Sequence, residues 1–245
     1  MRPQKVGDFY KECLKILNQS HIPFLVGGTF AVNVYLGLNR LTKDLDIFCR
    51  AGDYPKILKI FSGHGYKTTV PDERWLAKVS KGQFYLDIIF GSANAAVAMT
   101  DVWLRSSQTA KIFGLPVRLL PPTELFWSKA FIQDRNRYDG NDIAHLILIK
   151  HKDIDWRKLL SYMDQFWEVL LVHILTFRFI YPSERELIPR WLMNELIGRL
   201  QDQFKVPVSK LKVCRGRHFS NNDFAVDINE WGFEDITGWQ HAREK

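Results

Sequence analysis

From Ile22 to Phe48 the chain reads as strand, glycine pair, helix and second strand, and that second strand carries two carboxylates two residues apart. "IPFLV" is a short apolar run that stops at Gly27-Gly28. "TFAVNVYLG" follows with helical spacing, with Thr29 placed to cap it and Gly37 placed to end it. In "KDLDIF", strand alternation puts Asp44 and Asp46 on one face, with Leu45 and Ile47 on the other. Two like charges so close repel, and each disfavours ionisation of its neighbour. A solvated edge strand tolerates that arrangement. A divalent cation held between the two carboxylates turns it into a binding site. Glycines at a strand-to-helix turn also let a phosphate approach the backbone, and the helix N-terminus behind them favours anions.

A third carboxylate, Asp87, lies in "FYLDIIF" between apolar neighbours. A buried charge without a partner there is costly. Adjacent antiparallel strands would bring Asp87 beside Asp44 and Asp46. Three carboxylates and a phosphate-binding turn make a magnesium site for phosphoryl or nucleotidyl transfer.

The remaining pattern fits an α/β (α+β) chain with a mixed sheet. Residues 7–19 carry a helical apolar stripe, and "YPKILKIFSGHG" is a helix with Pro55 in its first turn. "YKTTV", "WLAKVS" and "FYLDIIF" read as strands, and "QTAKIFGLPVRLLPP" as a hairpin around Gly114. After Pro121-Pro122 the pattern turns helical, with starts near Thr123, near Asp139 or Asn141, and at Asp155, and two more apolar helices running to about Phe204. The expected division is a catalytic α/β domain at 1–121, a helical domain at 122–204 and a tail at 205–245. The tail is rich in aromatic residues, which predicts that it packs on the body.

Composition narrows the setting. Residues 1–121 hold 16 Lys/Arg against 9 Asp/Glu, which accounts for the whole net charge of +7. Such a field attracts nucleoside triphosphate or nucleic acid, and it also serves solubility alone. No apolar run reaches the roughly 18 residues that span a bilayer, and no signal-peptide h-region opens the chain, so no membrane partner is expected. Three widely spaced cysteines, Cys13, Cys49 and Cys214, suit a reducing cytoplasm and form no metal-site pattern.

Val26-Gly27-Gly28, Asp44-Leu45-Asp46 and the later strand residue Asp87 together resemble the signature of the polymerase-beta-like nucleotidyltransferase superfamily. The longer spacer and "NRLTKDLD" look like the AbiEii and MenT toxin-related branch. "ELFWSKAFIQDRNRYDGNDIAHLI" and the tail resemble segments of uncharacterised bacterial nucleotidyltransferases. The resemblance implies transfer of NMP from an NTP to a hydroxyl, with release of pyrophosphate. Asp44 and Asp46 would hold two Mg²⁺ ions. Asp87 would share a metal and orient or deprotonate the acceptor hydroxyl. Gly27, Gly28 and Thr29 would cradle the triphosphate, although Thr29 also serves as a helix cap alone.

In the helical half the resemblance implies that Lys129 contacts nucleotide phosphate and that Asp142 lies near the centre; a plain surface position is the competing reading for Lys129. Lys43 reads as solvated rather than as a ligand. Arg135 and Arg137 read as partners of Asp134 and Asp139 in a local charge network, with part of that cluster adjacent to catalysis. An RNA or tRNA 3′ end, a protein side chain or a small molecule all suit as acceptor. The alternative is a non-catalytic nucleotide-binding or toxin–antitoxin-type interaction protein that keeps the fold.

Overall fold

The computed structural model describes residues 3–91 and 99–236; tail residues 237–245 lie outside them. The chain divides into two compact units, Met1–Leu125 and Phe126–Lys245. The first unit contains α1 (Pro3–Ser20), β1 (Leu25–Val26), α2 (Gly28–Leu36), β2 (Asp44–Phe48), α3 (Tyr54–Gly63), β3 (Lys67–Asp72), β4 (Leu76–Lys81) and β5 (Phe84–Ile89). It continues through α4 (Asp101–Ser106), β6 (Gln108–Ile112) and β7 (Leu115–Leu119) into α5 (Pro122–Ala130), which runs across the division.

The seven strands form one mixed sheet in the order β3-β4-β5-β2-β1-β7-β6. Two elements depart from the sequence pattern. Strand β5 pairs with β2 in parallel, not antiparallel, because α3, β3 and β4 intervene and return the chain in the same direction. Helix α4, six residues long, has too little sequence to show a period. The expected hairpin is present. Ile112 pairs with Leu115 across a two-residue turn, and both Phe113 (φ 51°) and Gly114 (φ 77°) take the left-handed region that such a turn demands.

Burial fixes the register that matters for the site. Leu45 and Ile47 on β2, and Leu86 and Ile88 on β5, are fully buried. Each such side chain contributes about 1.5–3 kcal/mol. A one-residue slip of either strand would turn its own pair to the opposite face and its carboxylates into the core. Helix α1 lies against β5 and β7, with Tyr10, Cys13, Leu14 and Leu17 buried beneath it.

The second unit adds α6 (Gly140–Lys150), α7 (Trp156–Tyr162), α8 (Trp167–Ile180) and α9 (Arg190–Gln203). Asp155 caps α7, its carboxylate accepting the Lys158 N–H at 3.0 Å. The tail contributes β8 (Val213–Cys214), α10 (Ala225–Asn229) and β9 (Glu234–Asp235). Its described part packs within this unit: Arg215 donates to the Gln165 carbonyl, Phe219 meets Phe131 at 6.4 Å, and Arg217 pairs with Asp235 at 2.7 Å. Among the described residues no helix is long and apolar enough to cross a membrane.

Candidate active site

Asp46 on β2 stands directly opposite Asp87 on β5, and Asp44 lies two residues before it on the same face. One carboxylate oxygen from each of Asp44, Asp46 and Asp87 lies within 4.8 Å of the other two. All three side chains are half-buried. Hard oxygen donors at that mutual spacing suit Mg²⁺ or another hard divalent ion, so the donor set fits the metal the sequence implies.

The glycine pair is shaped around Asp46. Gly27 N–H donates to the Asp46 carbonyl at 3.0 Å, which ties the turn to β2. Gly28 has φ +54°, and a side chain there would run into the Asp46 carboxylate. At Gly27 a Cβ would overlap the Phe48 ring. Gly27 is itself the N-cap of α2, without a side-chain cap bond, so Thr29 sits inside the first turn and does not cap the helix as expected. The first-turn amides of a helix have no intrahelical acceptor, which leaves this end suited to an anion.

Gly28→Ala combines a left-handed backbone with displacement of Asp46. It is expected to cost about 1–3 kcal/mol of strain and to lower transfer at least about tenfold. Thermal melts and turnover on the same sample check this, and wild-type turnover would show that Asp46 does not need its present position.

Two residues not singled out from the sequence hold the carboxylates. The Thr42 hydroxyl donates to Asp44 Oδ1 at 2.7 Å. Lys78 Nζ donates to both Asp87 oxygens, at 2.8 and 2.9 Å. A signal for Lys78 exists in "KGQF": a two-residue turn at Gly82-Gln83 pairs Lys81 with Phe84, and counting back places Lys78 opposite Asp87. Lys43 is exposed, in keeping with a solvated side chain. Tyr10 lies buried with its hydroxyl unpaired among the described residues. Burial first, then the negative charges of Asp44 and Asp46, push its phenol up, so it stays neutral.

The remaining expected residues lie in the second unit. Lys129, on α5, is 3% exposed. Its ammonium meets Asp139 Oδ2 at 2.6 Å and Asp142 Oδ2 at 2.8 Å. Arg137 pairs with Asp139 at 3.1 Å, as expected. Arg135 does not join that network: it lies 3.6 Å from Asp223 of the tail, while Asp134 accepts the Asn136 and Arg137 backbone N–H groups. Burial pushes the Asp139 carboxyl up, but the Arg137 hydrogen bond and the Lys129 charge outweigh burial and hold it below the ordinary value of 3.8.

A depressed folded value stabilises above the unfolded one and is lost as pH falls through it. Stability is therefore expected to drop below about pH 4, and Asp139→Asn to flatten that acid limb in urea midpoints measured against pH. An unchanged limb would place the acid sensitivity elsewhere.

A mixed sheet with a Gly-Gly turn at a helix N-terminus and three strand carboxylates is the arrangement that the resemblance to the polymerase-beta-like nucleotidyltransferase superfamily implies. Residues 10–111 match the family described as aminoglycoside-2''-adenylyltransferase. No curated protein matches the chain by sequence.

Among solved structures, the antibiotic-resistance factor ANT(2'')-Ia is 18% identical with a TM-score of 0.46, the match covering 76% of this chain and 97% of that one. The lincosamide adenylyltransferase LnuA, solved with lincomycin bound, is 18% identical with a TM-score of 0.44, over 59% of this chain and 96% of that one. An antigenic nucleotidyltransferase-like protein from Paracoccidioides brasiliensis is 14% identical with a TM-score of 0.45, over 76% and 92%.

Proposed function

We propose that this chain is a metal-dependent nucleotidyltransferase that moves NMP from an NTP to a hydroxyl acceptor. The observation that carries this reading is the register of Asp46 against Asp87, with Asp44 beside them and the Gly27-Gly28 turn closed over Asp46. Asp44, Asp46 and Asp87 would hold Mg²⁺, two ions being the expected number. Bound magnesium supplies Lewis-acid polarisation of the phosphoryl oxygens and offsets charge on the attacking and leaving oxygens. Gly27, Gly28 and the first turn of α2 bind the triphosphate through backbone amides, with Thr29 inside that turn. Asp87 orients the acceptor hydroxyl and takes its proton. The acceptor oxygen then forms its bond to the α-phosphorus as the bond to the β-phosphate oxygen breaks, and pyrophosphate leaves.

The acceptor class has two supports that point apart. The family match supports a small-molecule alcohol such as an antibiotic. The basic excess of residues 1–121 supports an anionic acceptor such as RNA and disfavours a polycation. Label transfer from each of the four α-labelled NTPs to bulk RNA, to an aminoglycoside and to a lincosamide, at several salt concentrations, separates them. Transfer to RNA that falls steeply with salt supports the anionic acceptor. Nucleotide binding with transfer to no acceptor would favour the interaction-protein alternative.

A further inference from the structure

We propose that Lys78 is a positioning residue of the carboxylate triad, which holds Asp87 in line with Asp46 and sets how tightly the site takes up divalent cations. The inference rests on the reading of Asp44, Asp46 and Asp87 as a cation site, and adds to it a residue that neither the motif nor the family signature contains.

The geometry is a row across three neighbouring strands. Lys78 on β4 is the direct cross-strand partner of Asp87 on β5, which is the direct partner of Asp46 on β2. Paired residues on adjacent strands project to the same face, so the ammonium and the two carboxylates share one side of the sheet. Lys78 donates to both oxygens of Asp87, at 2.8 and 2.9 Å, which fixes the rotation of that carboxylate as well as its place. The contact is sheltered: Asp87's side chain is 15% exposed and that of Lys78 is 32% exposed. The lysine head also lies 5.8 Å from the centre of the Tyr85 ring, and Tyr85 is the register partner of Asp44.

Two consequences follow, with opposite signs. The ammonium relieves repulsion among three carboxylates, and so removes part of the pull that a divalent cation would otherwise feel. Without Lys78 the cluster is one unit more negative, and cation affinity should rise. The same change frees Asp87 to rotate away from the acceptor hydroxyl, and transfer should slow. A lysine that serves only the strand surface predicts neither change. A lysine needed only for folding predicts that both quantities fall together.

The test uses Mn²⁺ as probe, titrated into the full-length protein without nucleotide and followed by electron paramagnetic resonance. Lys78→Met should tighten Mn²⁺ binding by about threefold to tenfold while the turnover number for label transfer falls about tenfold or more. Lys78→Arg keeps the charge and a bidentate donor, and should hold Mn²⁺ affinity within about twofold of wild type. Should Lys78→Met fail to fold, Lys78→Gln makes the same charge change with a side chain that still donates a hydrogen bond. Unchanged or weaker Mn²⁺ binding in the neutral variants overturns the proposal. The underlying reading fails differently: wild type would then bind no more Mn²⁺ than Asp46→Asn does, and the role of Lys78 falls with it.

Discussion

Asp46→Asn is expected to leave the first unit folded and to lower nucleotidyl transfer at least about a hundredfold, or about 2.7 kcal/mol of transition-state stabilisation. Asp46 has close neighbours both on β5 and in the glycine turn. Asp87 stands opposite it, the Gly27 amide holds its carbonyl, and Gly28 is closed over its side chain. Asparagine keeps the volume and one of the two acceptor oxygens. It removes one anionic oxygen from the donor set and relieves like-charge repulsion, so the protein without metal should be no less stable than wild type. A loss of transfer with an unshifted melting temperature therefore isolates the charge as the cause. The decisive measurement is transfer rate against Mg²⁺ concentration for both proteins. Retained turnover with the same magnesium dependence would remove Asp46 from the metal site and, with it, the reason to treat the triad as a unit.

How far the site was legible depended on how local each relation is. Gly27-Gly28 and Asp44-Leu45-Asp46 are local: one is a turn, the other a strand alternation, and both are written within a few residues. Asp87 was legible as a strand carboxylate with apolar neighbours, but the direction of its strand was not. Parallel pairing with β2 follows from the path through α3, β3 and β4, which no short window contains. Lys78 falls between these cases, since a two-residue turn determines its partner once the turn itself is recognised. Thr42 was visible in the motif, but its bond to Asp44 depends on how the loop before β2 bends. In the second unit, Arg137 and Asp139 are two residues apart and their pairing was readable. The link from Arg135 to Asp223 spans 88 positions and was not. The partners of Lys129 lie ten and thirteen residues ahead, beyond a bend closed by a bridge between Gln133 and Tyr138. Helical spacing therefore gave only the choice between a surface lysine and a phosphate ligand.

Lys129→Met is expected to destabilise the protein by about 3–5 kcal/mol, the range for breaking a buried ion pair from one side. The ammonium is held by two carboxylates that are themselves about nine-tenths buried, Asp139 and Asp142. Methionine fills nearly the same space, so no cavity adds to the loss. What remains is two like charges facing each other in a sheltered place, with Arg137 paired to Asp139. Adding Asp142→Asn to Lys129→Met should recover part of the loss, and a double-mutant cycle in urea gives the coupling directly. A loss below about 0.5 kcal/mol, the size usual at exposed positions, would mean that the cluster is solvated. Kinetics on the same variants separate this structural role from the phosphate contact that the sequence suggested. A raised KM for NTP with unchanged stability is the mark of a ligand to phosphate. A stability loss that Asp142→Asn partly repairs, with KM unmoved wherever the protein is folded, is the mark of an internal counter-ion.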